Sequence, residues 1–208
     1  MNRCHVNRWA ALFVVTGMVL TANAAVADTP DLYRQSYVQE AKGDYQAALG
    51  RMRQIAKTAG KSYFASLRIG WLAYLAQDYV GAERSYREAI AAKPAALEAK
   101  IGLTLVLYVA QRWKPLATAC KQVLSEDPKH ATVRARLASS YYATGNYPDA
   151  AALYRKLVDS YPGELDYQTG LGWALQRMGK REEAKKLFRA VLAVSPDNVN
   201  ASQGMAAK

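Results

Sequence analysis

The sequence predicts an all-α solenoid of five helix-turn-helix units, and three observations carry that prediction. Ala48, Ala82, Leu116, Ala150 and Ala184 follow one another at intervals of 34 residues. Pro94, Pro128, Pro162 and Pro196 share that period. Between these markers the apolar residues recur every three or four positions, which is the period of a helix with one buried face.

Each unit opens with an amphipathic helix, as in Leu67, Ile69, Gly70, Ala73 and Tyr74, or Leu137, Ala138, Tyr141 and Tyr142. A turn follows, written Gly43-Asp44-Tyr45, Gln77-Asp78-Tyr79, Gly145-Asn146-Tyr147 and Gly179-Lys180-Arg181. Gly or Asn supplies the left-handed end of the first helix, and the aromatics Tyr45, Tyr79 and Tyr147 pack back from the start of the second. The second helix then runs through Ala82, Tyr86, Ala89 and Ile90, or Ala184, Leu187, Phe188 and Val191. The recurrent proline ends it, because a residue without an N–H cannot continue the ladder. Pro115 and Pro148 lie in first helical turns, where proline is tolerated. The units span residues 29–62, 63–96, 97–130, 131–164 and 165–198, so ten antiparallel helices are expected in a domain of residues 28–198. Residues 199–208 form a short C-terminal tail too brief for a closing helix, which leaves the fifth unit's edge open to self-association.

This pattern resembles the tetratricopeptide repeat family over residues 29–198. The small residues that let two helices cross closely are Gly70 with Ala82 and Ala89, Ala138 with Ala150, and Gly172 with Ala184, and the large aromatic of the second helix is Tyr86, Tyr154 or Phe188. Two units depart from it. The first has Ser36, Met52 and Gly60 at the key slots, as a capping repeat does. The third has Thr104, Leu116 and Cys120, read as a larger residue offset by a smaller one in one core. The resemblance implies a right-handed superhelix whose first helices line a concave groove.

On that face lie Tyr33, Arg34 and Tyr37, then Phe64, Arg68, Trp71 and Tyr74, then Tyr108, then Arg136 and Tyr142, and finally Trp173 and Arg177. Aromatic rings and guanidinium groups are the side chains most enriched at binding hot spots. The predicted partner is therefore an extended peptide or a helix of a protein, with acidic character matched to the arginines. Arg34, Arg68 and Arg136 occupy equivalent places and suggest a ladder of anion contacts. The Asn residues of the family's carboxylate clamp are missing, so chaperone binding is not implied. Exposed rings and cations also suit an acidic polysaccharide, which is the alternative reading.

The N-terminus reads as a secretory signal: Arg3 and Arg8 precede an apolar run over residues 9–20, and Ala25-Val26-Ala27 offers a cleavage site ahead of Asp28. The expected location is the periplasm of a bacterium, with membrane association only where residues 1–27 remain as an uncleaved anchor. The full chain has 28 Lys and Arg against 17 Asp and Glu, a net charge of +11. Basic and acidic residues alternate along the helices instead of forming a block, and with an export signal this argues against nucleic acid. The mature chain keeps Cys120 alone and His130 alone. Cys120 stands in a core slot, and His130 in the loop before the fourth unit. No histidine pair has metal spacing, and no Gly-rich phosphate loop or nucleophile elbow is present. Glu40 with Glu98 is the one acid pair worth naming. No catalytic residue, cofactor or metal is therefore expected, and the chain is read as a non-catalytic scaffold.

Overall fold

A computed structural model describes residues 29–207. The leader predicted over residues 1–27 lies outside them. The described residues hold eleven helices and no strand: α1 Thr29–Ala41, α2 Tyr45–Thr58, α3 Tyr63–Leu75, α4 Tyr79–Ala92, α5 Leu97–Val109, α6 Trp113–Glu126, α7 Ala131–Ala143, α8 Tyr147–Ser160, α9 Leu165–Arg177, α10 Arg181–Val194 and α11 Val199–Ala206. Helices pack against their sequence neighbours, and from α3 onward each odd-numbered helix also touches the next odd-numbered one. The odd-numbered helices thus form one continuous wall of the solenoid, with the even-numbered helices outside it.

Every first helix but the last has 13 residues and every second helix has 14, so the structural period equals the sequence period. The same turn is built five times. The amide of Asp44 donates to the Gln39 carbonyl at 2.9 Å, and the equivalent bonds run from Asp78 to Ala73, Arg112 to Leu107, Asn146 to Tyr141 and Lys180 to Leu175. This six-to-one closure needs a left-handed residue just before it. Gly43, Gly145 and Gly179 serve in three units, but Gln77 and Gln111 take φ of 61° and 53° in the other two. A side chain forced into that region costs about 1–2 kcal/mol, so the second and third turns carry strain that glycine would relieve. At the other end of each unit the residue before proline leaves the helical region: Lys93, Asp127, Tyr161 and Ser195 all have φ between −125° and −141° and ψ between 67° and 84°. The proline ring disfavours the helical region one residue upstream, which stops the helix there.

The C-terminal segment corrects one expectation. Residues 199–206 form α11, which starts 34 residues after α9 and so holds the first-helix register of a sixth unit. Asn198 caps it by accepting from the Ala201 amide at 2.9 Å, and Ala201 is completely buried. Eight residues suffice because the cap satisfies the first turn and Gly204 seats the helix on Phe188. The fifth unit's edge is therefore covered, which removes the open apolar surface on which self-association was expected.

The interior depends on how a central side chain of each second helix is housed. Tyr86 lies between Gly70 of its own unit and Gly102 of the next, so close that a Cβ at Gly70 would lie 3.0 Å from its ring and one at Gly102 2.4 Å. Phe188 lies likewise between Gly172 and Gly204, and Tyr154 meets Gly170. Where the second helix has a smaller or non-aromatic residue, Met52 or Cys120, the facing position in the next unit is Arg68 or Arg136 instead of glycine. The two slots, 16 residues apart, trade volume to keep the interior filled. The third unit's compensation thus runs from Cys120 to Arg136 in the next repeat, beyond the Leu116 slot expected from sequence. We predict that Gly102→Ala lowers stability in urea melts by about 1–3 kcal/mol, the usual cost of overpacking, and that adding Tyr86→Met recovers part of the loss.

Candidate functional site

The odd-numbered helices enclose a trough of about 910 Å³ running from α3 to α11. Its walls carry Tyr74, Leu105, Tyr108, Trp113, Arg136, Ser139, Tyr142, Tyr154, Asp166, Tyr167, Thr169, Gly170, Trp173 and Asn200. Five tyrosines and two tryptophans face this one cavity. They are placed by the repeat itself. Tyr108 meets Trp113 edge-on with centroids 6.0 Å apart, Tyr142 meets Tyr147 at 5.5 Å, and Tyr74 meets Tyr79 at 6.2 Å. In each case an aromatic at the end of a first helix leans on the one opening the second, so the rings are held before any ligand arrives.

Arg136 is the basic group of the trough and Asp166 the acidic one. The Arg136 Nη1 donates to Thr104 Oγ1 at 2.8 Å and to the Ile101 carbonyl at 3.3 Å. Burial pushes its pKa below the ordinary arginine value, and the Cys120 thiol and the Tyr74 and Tyr108 hydroxyls oppose that shift only in part. Cys120, fully buried and near Arg136, has its thiol pushed up to about 12 by burial, against the opposing pull of that guanidinium. A thiol held neutral in this way is no nucleophile. At the floor, Tyr154 shares a 2.8 Å hydrogen bond with Ser139 Oγ, and burial raises its hydroxyl pKa to about 12.

Of the twelve residues predicted to line the groove, Tyr74, Tyr108, Arg136, Tyr142 and Trp173 line the trough. The other seven do not. Tyr33 and Phe64 pair with each other at 5.8 Å near the N-terminal end. Tyr37, Arg68 and Trp71 form a separate cluster around Glu40: Arg68 lies 4.2 Å over the Tyr37 ring and pairs with Glu40 at 2.7 Å, and Trp71 Nε1 donates to the other Glu40 oxygen at 2.8 Å. Burial disfavours the Glu40 charge, but the bonds from Arg68 and Trp71 outweigh it and hold the carboxyl below its ordinary value. Arg34 pairs with Asp31 on the surface, and Arg177 lies over Tyr147 and donates to its hydroxyl at 2.7 Å. The expected ladder of three arginines therefore breaks up: Arg34 and Arg68 pair with carboxylates of their own chain, and no carboxylate among the described residues pairs with Arg136. Glu40 is bound up with Arg68 and does not pair with Glu98. His130 caps α7, its Nδ1 accepting from the Val133 amide at 3.4 Å.

Trp113, Tyr154 and Tyr167 were missing from the predicted lining. Trp113 and Tyr154 sit on second helices, which the sequence reading did not place on the groove; Trp113 reaches it beside Tyr108, and Tyr154 beside Ser139 and Gly170. Trp113 does carry a sequence signal, since it stands 34 residues from both Tyr79 and Tyr147.

Family models described as tetratricopeptide repeat match residues 33–113, 117–174 and 165–195, together more than half of the chain. The chain belongs to the tetratricopeptide repeat family. Among curated proteins it is similar to tetratricopeptide repeat protein 21A of Mus musculus, 26% identical over 119 residues that cover 57% of this chain and 9% of that protein. It is also similar to a protein O-mannosyl-transferase of Caenorhabditis elegans, 29% identical over 84 residues, 40% of this chain and 12% of that one. The chain thus spans about a tenth of the length of these relatives. Among solved structures it shares its fold with YrrB, a TPR protein with an unusual peptide-binding site (TM-score 0.76, 14% identity, 92% of this chain and 98% of that one). MamA from Desulfovibrio magneticus has the same fold (TM-score 0.75, 20% identity, 83% and 98%). So does a tetratricopeptide repeat protein from Parabacteroides merdae (TM-score 0.77, 16% identity, 86% and 72%).

The raised Tyr154 pKa has a consequence at alkaline pH. Its folded value of about 12 lies above the ordinary 10.0, so its contribution is complete below pH 10 and is lost as pH rises toward 12. We predict that Tyr154→Phe costs about 1 kcal/mol at neutral pH through the lost bond to Ser139. The gap between variant and parent should narrow between pH 10 and 12, read by thermal melts across that range.

Proposed function

We propose that this repeat protein is a non-catalytic interaction scaffold that holds a peptide or helix of a partner protein in its concave trough. The observation that carries the proposal is the trough itself, whose rings are pre-positioned by ring-on-ring packing. Rigid aromatics bury much area at little entropic cost, which is what a hot-spot surface needs. The peptide-binding site of the similarly folded YrrB supports the same reading. The buried neutral Cys120 and the capping role of His130 agree with it, since neither is placed for nucleophilic or acid-base chemistry. The transferase similarity covers only 12% of that enzyme, so the shared stretch is attributed to the repeats.

The leader pattern over residues 1–27 supports a further part of the proposal, that the scaffold works in the periplasm of a bacterium as an adaptor or assembly factor of the cell envelope. Expression of the full chain in a Gram-negative host should then yield a periplasmic protein whose N-terminal residue is Asp28; a cytoplasmic product starting at Met1 removes the envelope role.

A displayed random-peptide library selected on residues 28–208 tests the binding reading. Selected peptides should bind the parent and lose at least about tenfold in affinity to a helical Tyr142→Ala, Tyr167→Ala variant, as for hot-spot removal. Peptides that bind both proteins equally exclude the trough. Failure of any peptide to bind, with an acidic polysaccharide retained instead, replaces the protein partner with a carbohydrate.

A further inference from the structure

Two arginines hold the same place in the repeat and meet different surroundings. Arg68 receives the carboxylate of Glu40 from the preceding unit, and Trp71 donates to that carboxylate's second oxygen. Sixty-eight residues later Arg136 has Tyr108 where Glu40 would stand and Ser139 where Trp71 would stand. No ion pair among the described residues includes Arg136.

Thr104 and Ile101 fix the guanidinium through Nη1 at 2.8 and 3.3 Å without neutralising it. A guanidinium carries five N–H donors, and a half-buried one is unfavourable until a counter-charge reaches it. Arg136 opens onto the trough, so that charge can enter from the solvent side. Resting on the reading of the trough as a peptide site, we infer that its ligand is a peptide bearing one carboxylate, which docks on Arg136 as Glu40 docks on Arg68. Tyr108 and Tyr142 flank the position, so apolar or aromatic neighbours suit the ligand on either side. Asp166 lines the same trough and repels a second negative charge, so a lone carboxylate is favoured over an acidic run.

Three acetylated decapeptides of Leu, Tyr and Ser test this, one with a central Glu and an amidated end, one with a central Gln and a free C-terminus, and one with Gln and an amidated end. The emission of Trp113 and Trp173 in the trough reads binding. A carboxylate-bearing peptide should bind the parent about tenfold tighter than the uncharged one, as a charge-assisted bond does. The first two peptides tell a side-chain carboxylate from a terminal one. Arg136→Gln should erase the difference. Equal binding of all three, lost on Tyr142→Ala, overturns the carboxylate and leaves the groove reading intact. A preference that survives Arg136→Gln also overturns it, and binding of none overturns both readings.

A second test needs no ligand. Tyr108→Glu restores the carboxylate that Glu40 provides two units earlier, so this variant should melt higher than Tyr108→Gln, by a margin that shrinks in about 1 M salt. It should also lose the preference for carboxylate peptides. If Tyr108→Glu melts no higher than Tyr108→Gln, Arg136 is not an unfilled partner.

Discussion

The structure depends on one close approach: the central side chain of each second helix must fit between the first helix of its own unit and that of the next. Tyr86 and Phe188 each lie between two glycines, at distances where an added Cβ would overlap the ring. That contact fixes both the spacing within a unit and the step to the following one. A helix pair alone leaves one side of the ring open, and only the next first helix closes it, so no unit can bury its core without a neighbour. The same requirement explains why α11 forms with only eight residues: Gly204 seats it on Phe188, closing the second side of that ring.

The same constraint produces the candidate site. Cys120 fills less of its slot than a tyrosine would, and Arg136 occupies the place of the glycine that a ring requires. Packing therefore puts a guanidinium at the floor of the groove, and Thr104, in the slot that Gly70 and Gly172 fill elsewhere, turns its hydroxyl to hold it. The buried apolar residues divide into two clusters that meet within α7, one reaching Leu137 and the other starting at Ala138. Tyr141 and Leu153 pack against both clusters, and the third unit's departures, Thr104 and Cys120, both bear on Arg136.

The regular parts of the fold were legible because they follow from local chemistry repeated at a fixed interval. The prolines bias the residue before them to extended backbone, the turn glycines allow left-handed backbone, and the apolar spacing gives each helix its buried face. Gln77 and Gln111 escaped this reading because the turn is imposed on them by the packing of the helices on either side, against their own preference. The closing helix escaped it because eight residues carry little helical propensity alone and gain their stability from Phe188 and the Asn198 cap.

In the groove, sequence alone determined the repeat and the recurrence of aromatic and arginine side chains along the first helices, since these depend on residue type and period. It placed Tyr74, Tyr108, Arg136, Tyr142 and Trp173 together. It could not separate Arg136 from Arg34 and Arg68, which look equivalent at the 34-residue spacing. Only the tertiary structure decided that Asp31 and Glu40 occupy two of them and that none of the described carboxylates occupies the third. An ion pair depends on which side chain the neighbouring helix brings within about 4 Å, and that is set by the step between units, not by the spacing along the chain.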